Sequence, residues 1–126
     1  MVKSVLTRVG REKLCKAHAG DISLPPITQI AFGDGGVDSD GNVISVTGEE
    51  VSLRNELMRK DIDEHFFPER TTGRYCTRLD KLDLAKQYIS EMGLFDSEGD
   101  LVAYRTTIPK GKDDDESMIF DMDEIF

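Results

Sequence analysis

Ser90 to Tyr104 reads SEMGLFDSEGDLVAY, two short apolar runs on either side of a compact acidic turn. Asp96 and Ser97 can hydrogen-bond to their own backbone, and Gly99 can take a positive φ. With Leu94-Phe95 before the turn and Leu101-Val102 after it, the stretch predicts a β-hairpin whose acids shape the chain rather than do chemistry. The return strand is expected from Leu101 to Ile108, stopped by Pro109, with KGKDDDE beyond it as a solvated loop. Further on, Met118, Phe120 and Met122 alternate with Ile119, Asp121 and Asp123. That period of two predicts a last strand inside the acidic C-terminal end, 113–126.

Upstream of the hairpin, Tyr75, Thr77 and Leu79 alternate with charged or small residues from Arg74 on, and Tyr88, Ile89 and Met92 resume after a polar break. Ile27, Ile30, Ala31 and Phe32 form a short apolar strand, entered through Pro25-Pro26 and running into Gly33-Asp34-Gly35-Gly36. Asp34 to Gly48 is polar and glycine-rich and reads as a long loop, with a small strand at Val43 to Val46. EEVSLRNELMRKDI carries Val51, Leu53, Leu57 and Ile62 among mixed charges; it reads as a second helical stretch or as an extended connection to a strand. At the N-terminus, Val5, Leu6, Val9, Leu14 and Ala17 recur at near-helical spacing, Thr7 is a suitable N-cap, and Gly20 is a stop. One amphipathic helix ending near Ala19 is expected. Gly10 within it costs about 1 kcal/mol relative to alanine, which implies close packing against another backbone or an imperfect start. The fold class that follows is α+β: an N-terminal amphipathic helix packed on a mainly antiparallel sheet or small β-sandwich, one domain over 1–126.

Composition limits the partners. The chain has 126 residues, 38% hydrophobic and 33% charged, with 16 Lys and Arg against 25 Asp and Glu, a net charge of -9. Such a surface repels phosphate backbones and anionic lipid, so no nucleic acid and no membrane are expected as partners. MVKSVLTRVGREKL lacks the apolar centre of a signal peptide, and synthesis in the cytoplasm without export is the expectation. Cys15 and Cys76 stand far apart with no CxxC pairing and read as two free thiols.

Several constellations resemble sites. Asp34, Asp38, Asp40 and Asn42 share one glycine-rich loop, and oxygen-rich loops can hold calcium. Aligning Asp40-Gly41 with the Asp-Gly of an EF-hand puts Gly36 where the first carboxylate belongs and Thr47 where the last glutamate belongs, so the spacing does not fit. His65 and Cys76 with an acid could imitate a base, a nucleophile and an orienting group, but no nucleophile elbow accompanies them. His18 reads as a helix-end residue. GDGG lacks the spacing of a phosphate-binding loop. No enzyme, cofactor or bound metal is expected.

The order of segments resembles the N-terminal domain of phage tail fibre proteins of the tail-collar type. LTRVGREKLCKAHAG matches its opening helix, ITQIAFGDGG its strand and glycine loop, LRNELMRKDI its middle, and EMGLFDSEGDLVAY its hairpin, together spanning Leu6 to Tyr104. Gly33, Asp34, Gly35, Glu91, Gly93, Leu94, Phe95, Asp96 and Gly99 carry the structural motif. The resemblance implies attachment of a fibre to the baseplate or tail tip of a phage or prophage, in the virion tail, with other tail or baseplate proteins as partners and a homotrimer as the first oligomer to test. The distal part that meets a host receptor has no counterpart here, which leaves attachment, adaptor or baseplate roles. Phe66, Phe67 and Phe126 are the candidate interface anchors, whereas Phe120 reads as core. A small calcium- or sugar-binding module and a thiol hydrolase using Cys76 and His65 are the alternatives.

Overall fold

Asp96 closes the hairpin it was expected to close. Its Oδ1 accepts from the amides of Glu98 and Asp100 at 3.0 and 3.1 Å, and Gly99 sits at φ +83°. The computed structural model describes residues 4–126. Its elements are β1 (Val5–Leu6), α1 (Arg8–His18), β2 (Ile27–Gly33), β3 (Glu56–Asp61), β4 (Glu64–Glu69), β5 (Thr72–Leu79), β6 (Gln87–Asp96), β7 (Leu101–Lys112) and β8 (Met118–Ile125). They form two antiparallel sheets, one of five strands in the order β1-β7-β6-β2-β3 and one of three in the order β4-β5-β8. The protein is thus mostly antiparallel β with one short helix.

β6 is buried without a break from Ile89 to Asp96, because both of its faces are covered. On one face Met92 and Leu94 join Ile30 and Phe32 of β2 and meet Leu79, Phe120 and Met122 of the three-stranded sheet. The Phe32 and Phe120 rings lie edge to face with centroids 5.1 Å apart, so Phe120 is core. On the other face Phe95, Leu101, Tyr104 and Ala31 pack with Leu53, brought there by the excursion between β2 and β3. Burial of each such side chain contributes about 1.5–3 kcal/mol.

Thr7 caps α1 by accepting from the Gly10 amide, and Ala19 ends the helix before Gly20 at φ +86°. Gly10 is the one buried residue of α1. A Cβ there would stand 2.5 Å from the Val102 carbonyl oxygen, so the glycine answers to a close backbone approach and not to a weak helix start.

Three expectations are corrected. Of the two readings of EEVSLRNELMRKDI, the helix is overturned and the extended connection to a strand holds: it is irregular up to Asn55 and then becomes β3, pairing Met58 with Phe32 and Lys60 with Ile30. Its apolar residues serve different places, with Val51 exposed and Leu53 in the second cluster, and tertiary demand overrides the helical spacing. Pro109 does not stop the return strand, since β7 runs on through Lys112 and KGK belongs to it. A register shift sets four steps of β7 (Thr106 to Lys110) against two of β6 (Ile89 to Glu91), and a bulge is where a strand tolerates proline. Val43 to Val46 is reduced to one bridge between Val37 and Val43. Among the described residues, no helix is long and apolar enough to cross a membrane.

Candidate interaction surface

Glu91 stands fully buried in β6. Its Oε2 accepts from the amides of Gly35 and Asn55 at 2.8 Å each, and its Oε1 from the Arg54 amide at 2.8 Å and the Tyr104 hydroxyl at 2.6 Å. A buried carboxylate is tolerable when its lone pairs are met in this way. Burial, and then the bond to Glu91, push the Tyr104 hydroxyl up from its ordinary value. Gly33 and Gly35 leave room for this carboxylate, since a Cβ on either would come within 2.7 Å of Glu91 Oε2. Beside them the Gly36 amide donates to Ser90 Oγ at 2.9 Å. Four of the nine motif residues, Gly33, Asp34, Gly35 and Glu91, therefore converge on one polar clamp that holds the excursion of 34–55 to the sheet. Asp34 stands at its edge, accepting from Asn55 Nδ2 at 2.6 Å.

The acids of the hairpin turn face a lysine. Lys13 Nζ of α1 lies 2.5 Å from Asp96, 2.9 Å from Glu98 and 2.8 Å from Asp100. Among the described residues these three carboxylates are the group whose oxygens converge within 4.8 Å, and a side-chain ammonium already neutralises them. Their attraction outweighs its burial and raises the Lys13 ammonium above its usual range. The loop acids proposed for calcium are dispersed. Asp38 Oδ1 accepts from the Asp40 and Asn42 amides at 2.9 Å each, an Asx turn completed by Gly41 at φ +83°, while Asp34 belongs to the clamp.

Cys76 and His65 do not form a catalytic pair. His65 is opposite Tyr75 in the β4–β5 register and Cys76 is opposite Glu64, which puts their side chains on opposite faces of the ribbon. Burial, helped by the neighbouring Asp121 carboxylate, pushes the Cys76 thiol up to about 12, so it is protonated at neutral pH. Cys15 is exposed and unbridged. His18 is exposed in the last turn of α1.

The aromatic candidates gather where the three-stranded sheet is least covered. All six residues of β4, EHFFPE, are exposed; Phe66 is 44% and Phe67 69% accessible, and Phe126 is 62% accessible. Phe66 lies on one face under Arg74, whose guanidinium is 5.7 Å from the ring centre. Phe67 shares the other face with His65, centroids 6.0 Å apart, and with Tyr75. Tyr75 folds over Gly73 and donates to Glu124 Oε1 at 3.4 Å. Behind Phe126 an apolar cavity of about 170 Å³ opens between α1, Pro25-Pro26 and β8. A larger one of about 340 Å³ lies between β7 and β8, where Arg74, Arg105 and Lys110 face Asp121 and Asp123.

The spacing of β4 gave no amphipathic signal because neither of its faces is covered. The clamp had one signal in the sequence, an acid inside an otherwise apolar strand at SEMGLF, but its donors Arg54, Asn55 and Tyr104 had none. No family model, no curated protein and no solved structure matches the chain.

Proposed function

We propose that the chain is a structural component of a phage or prophage tail, acting in fibre attachment or baseplate assembly through protein–protein contacts. The tail assignment rests on the order of sequence motifs. The observation that carries the assembly role is β4: a strand exposed on both faces, presenting Phe66 and Phe67 to solvent with Phe126 nearby. Scattered apolar residues on a surface are ordinary, whereas aromatics grouped on an uncovered element are the composition of interface cores. In this reading α1 is packed on the sheets through Gly10 and Leu14, and helix and sheets form a small sandwich whose rigid body presents that element. The chain is made in the bacterial cytoplasm and resides in the virion tail, with other tail or baseplate proteins as neighbours and a homotrimer as the oligomer to test by sedimentation.

Immunogold electron microscopy with antibody to this chain, on tails purified from the strain that encodes it, tests the reading. Gold at the tail tip or baseplate is the expected result. Intact tails without gold, from a lysate holding the chain in soluble form, would overturn it. A chelator-reversible rise in melting temperature with calcium would then favour a small calcium-binding module.

A further inference from the structure

The cavity behind Phe126 combines two features that seldom occur together without a reason. Its walls are mainly apolar, with Leu6, Leu14, Pro26 and Val102 around it, the Lys13–Asp96 ion pair on one side, and Leu24 and Phe126 at the mouth, the last two 50% and 62% exposed. Yet Glu124 also lines it, and the Tyr75 hydroxyl at 3.4 Å is the one hydrogen-bond donor its carboxylate meets among the described residues. Glu124 is partly buried, and a carboxylate half withdrawn from water against an apolar wall with a single donor gains from a cation that reaches it.

The basic groups nearby are engaged elsewhere. Lys13, on the cavity wall, is held by Asp96, Glu98 and Asp100. Arg11, which shares the adjoining groove with Glu124, is turned toward Glu49 at 3.9 Å. Burial accordingly raises the Glu124 carboxyl above its ordinary range, with only the Tyr75 bond pulling the other way.

We propose that this cavity seats one arginine or lysine side chain of a partner protein, its aliphatic stem against Leu6, Leu14 and Val102 and its charged head on Glu124. This deepens the assembly reading and rests on it. Size and charge both favour this occupant. A cavity of about 150 Å³ holds one benzene-sized group, whereas drug-sized ligands need roughly 300 Å³ or more. The cavity, at about 170 Å³, therefore fits one long side chain. A chain of net charge -9 draws basic surfaces toward it and repels acidic ones. The exposed apolar mouth suits a folded partner whose residues beside the cation cover Leu24 and Phe126, which a free amine would leave in water.

The experiment is an NMR titration of the whole chain with n-butylguanidinium, n-butanol and butyrate. The cation is expected to saturate shifts of Leu14, Leu24, Tyr75 and Phe126 at a concentration about tenfold below that of butanol, a difference of about 1.4 kcal/mol. Butyrate is expected not to saturate them. E124Q should remove the preference for the cation, and L14F, which fills the cavity while leaving Glu124 in place, should remove binding of cation and alcohol alike. A short peptide with arginine between two leucines should bind more tightly than butylguanidinium, and spermidine should not. Equal binding of cation and butanol, shifts centred elsewhere, an unchanged preference in E124Q, or tighter binding of spermidine than of the peptide would each overturn the proposal. Tails without gold combined with a Glu124-dependent preference for the cation would sink the tail assignment and leave the pocket standing; gold at the tail tip with no such preference would do the reverse.

Discussion

Glu91 is a carboxylate the fold takes wholly from water and Glu124 one it takes only in part, and they end in opposite circumstances. Glu91 receives four donors, three of them backbone amides, and ties the glycine loop and the 54–55 segment to β6. Glu124 meets one phenol at 3.4 Å beside an open apolar cavity. A satisfied buried acid rigidifies the element it holds, because every donor that leaves it would be stranded. An under-satisfied one at a cavity mouth is costly in the free chain and is relieved by whatever brings a cation. The same side chain thus serves as internal scaffold at one end of the protein and as candidate contact at the other.

The sharpest way to break this comparison is to remove the satisfied acid. Glu91→Ala strands three amides and a hydroxyl and should cost about 3–5 kcal/mol in urea unfolding. Glu91→Gln should cost a large part of that, since its amide group turns a donor toward donors. Tyr104→Phe, which removes only one of the four bonds, should cost about 1–3 kcal/mol. If Glu91→Gln unfolds like the parent, the clamp is not what holds the loop. By contrast E124Q should leave stability unchanged or slightly raised at neutral pH, because it replaces a poorly satisfied charge.

The next effect is smaller and concerns the glycines around the clamp. A Cβ on Gly36 would lie 1.9 Å from the Ser90 carbonyl oxygen, and that atom belongs to buried backbone. Gly36→Ala should therefore cost about 1–3 kcal/mol or more through forced backbone movement. Gly41 has nothing within 4 Å of the same position, and only its φ of +83° opposes a side chain. Gly41→Ala should cost about 1 kcal/mol. A loss at Gly36 no larger than that at Gly41 would mean that the backbone yields to the close approach to Ser90 at little cost.

These pairs also explain what could be read from the sequence. The hairpin was legible because its turn is a local matter: Asp96, Gly99 and the flanking apolar residues lie within nine positions of one another. The helix was legible from Thr7 and Gly20 for the same reason, and even Gly10 hinted at a backbone contact. EEVSLRNELMRKDI left helix and extended connection undecided because its placement depends on Glu91, 36 and 37 positions away from the amides it binds, and no periodicity encodes a partner at that distance. Pro109 misled because the bulge that admits it is set by the pairing partner. Phe66, Phe67 and Phe126 were named from composition near polar segments, yet the cavity behind Phe126 is assembled from five separate parts of the chain, and nothing local announces it.

Alkaline pH acts on both regions, through Cys76 and Tyr75 on β5 and through Tyr104 at the clamp. Burial pushes the Cys76 thiol and the Tyr75 hydroxyl each up to about 12, against ordinary values near 8.5 and 10. A raised value means that the folded state keeps protons the unfolded chain releases. The contribution is fully present below the unfolded value and is lost as pH rises toward the folded one. Unfolding midpoints should therefore fall progressively between about pH 9 and 12. Cys76→Ala should flatten the first part of that fall and Tyr75→Phe the later part. A midpoint independent of pH over this range in the parent chain would show both groups to be freely hydrated.

The smallest effect on stability should accompany the largest on assembly. Phe67 is 69% exposed on a strand with no buried residue, so Phe67→Ser removes little packing and should change unfolding by no more than about 0.5 kcal/mol. If β4 is the surface on which a tail neighbour rests, the same substitution deprives that interface of an aromatic anchor, and anchors of this kind typically cost 2 kcal/mol or more when truncated, or about thirtyfold in affinity. Folded Phe67→Ser protein should then be underrepresented in tails assembled from an equal mixture with the parent chain. Equal incorporation would mean that the exposed strand is not the contact. Attachment would then have to come from the cavity end alone, where Phe126→Ser, which strips its mouth but spares β4, should lower incorporation instead.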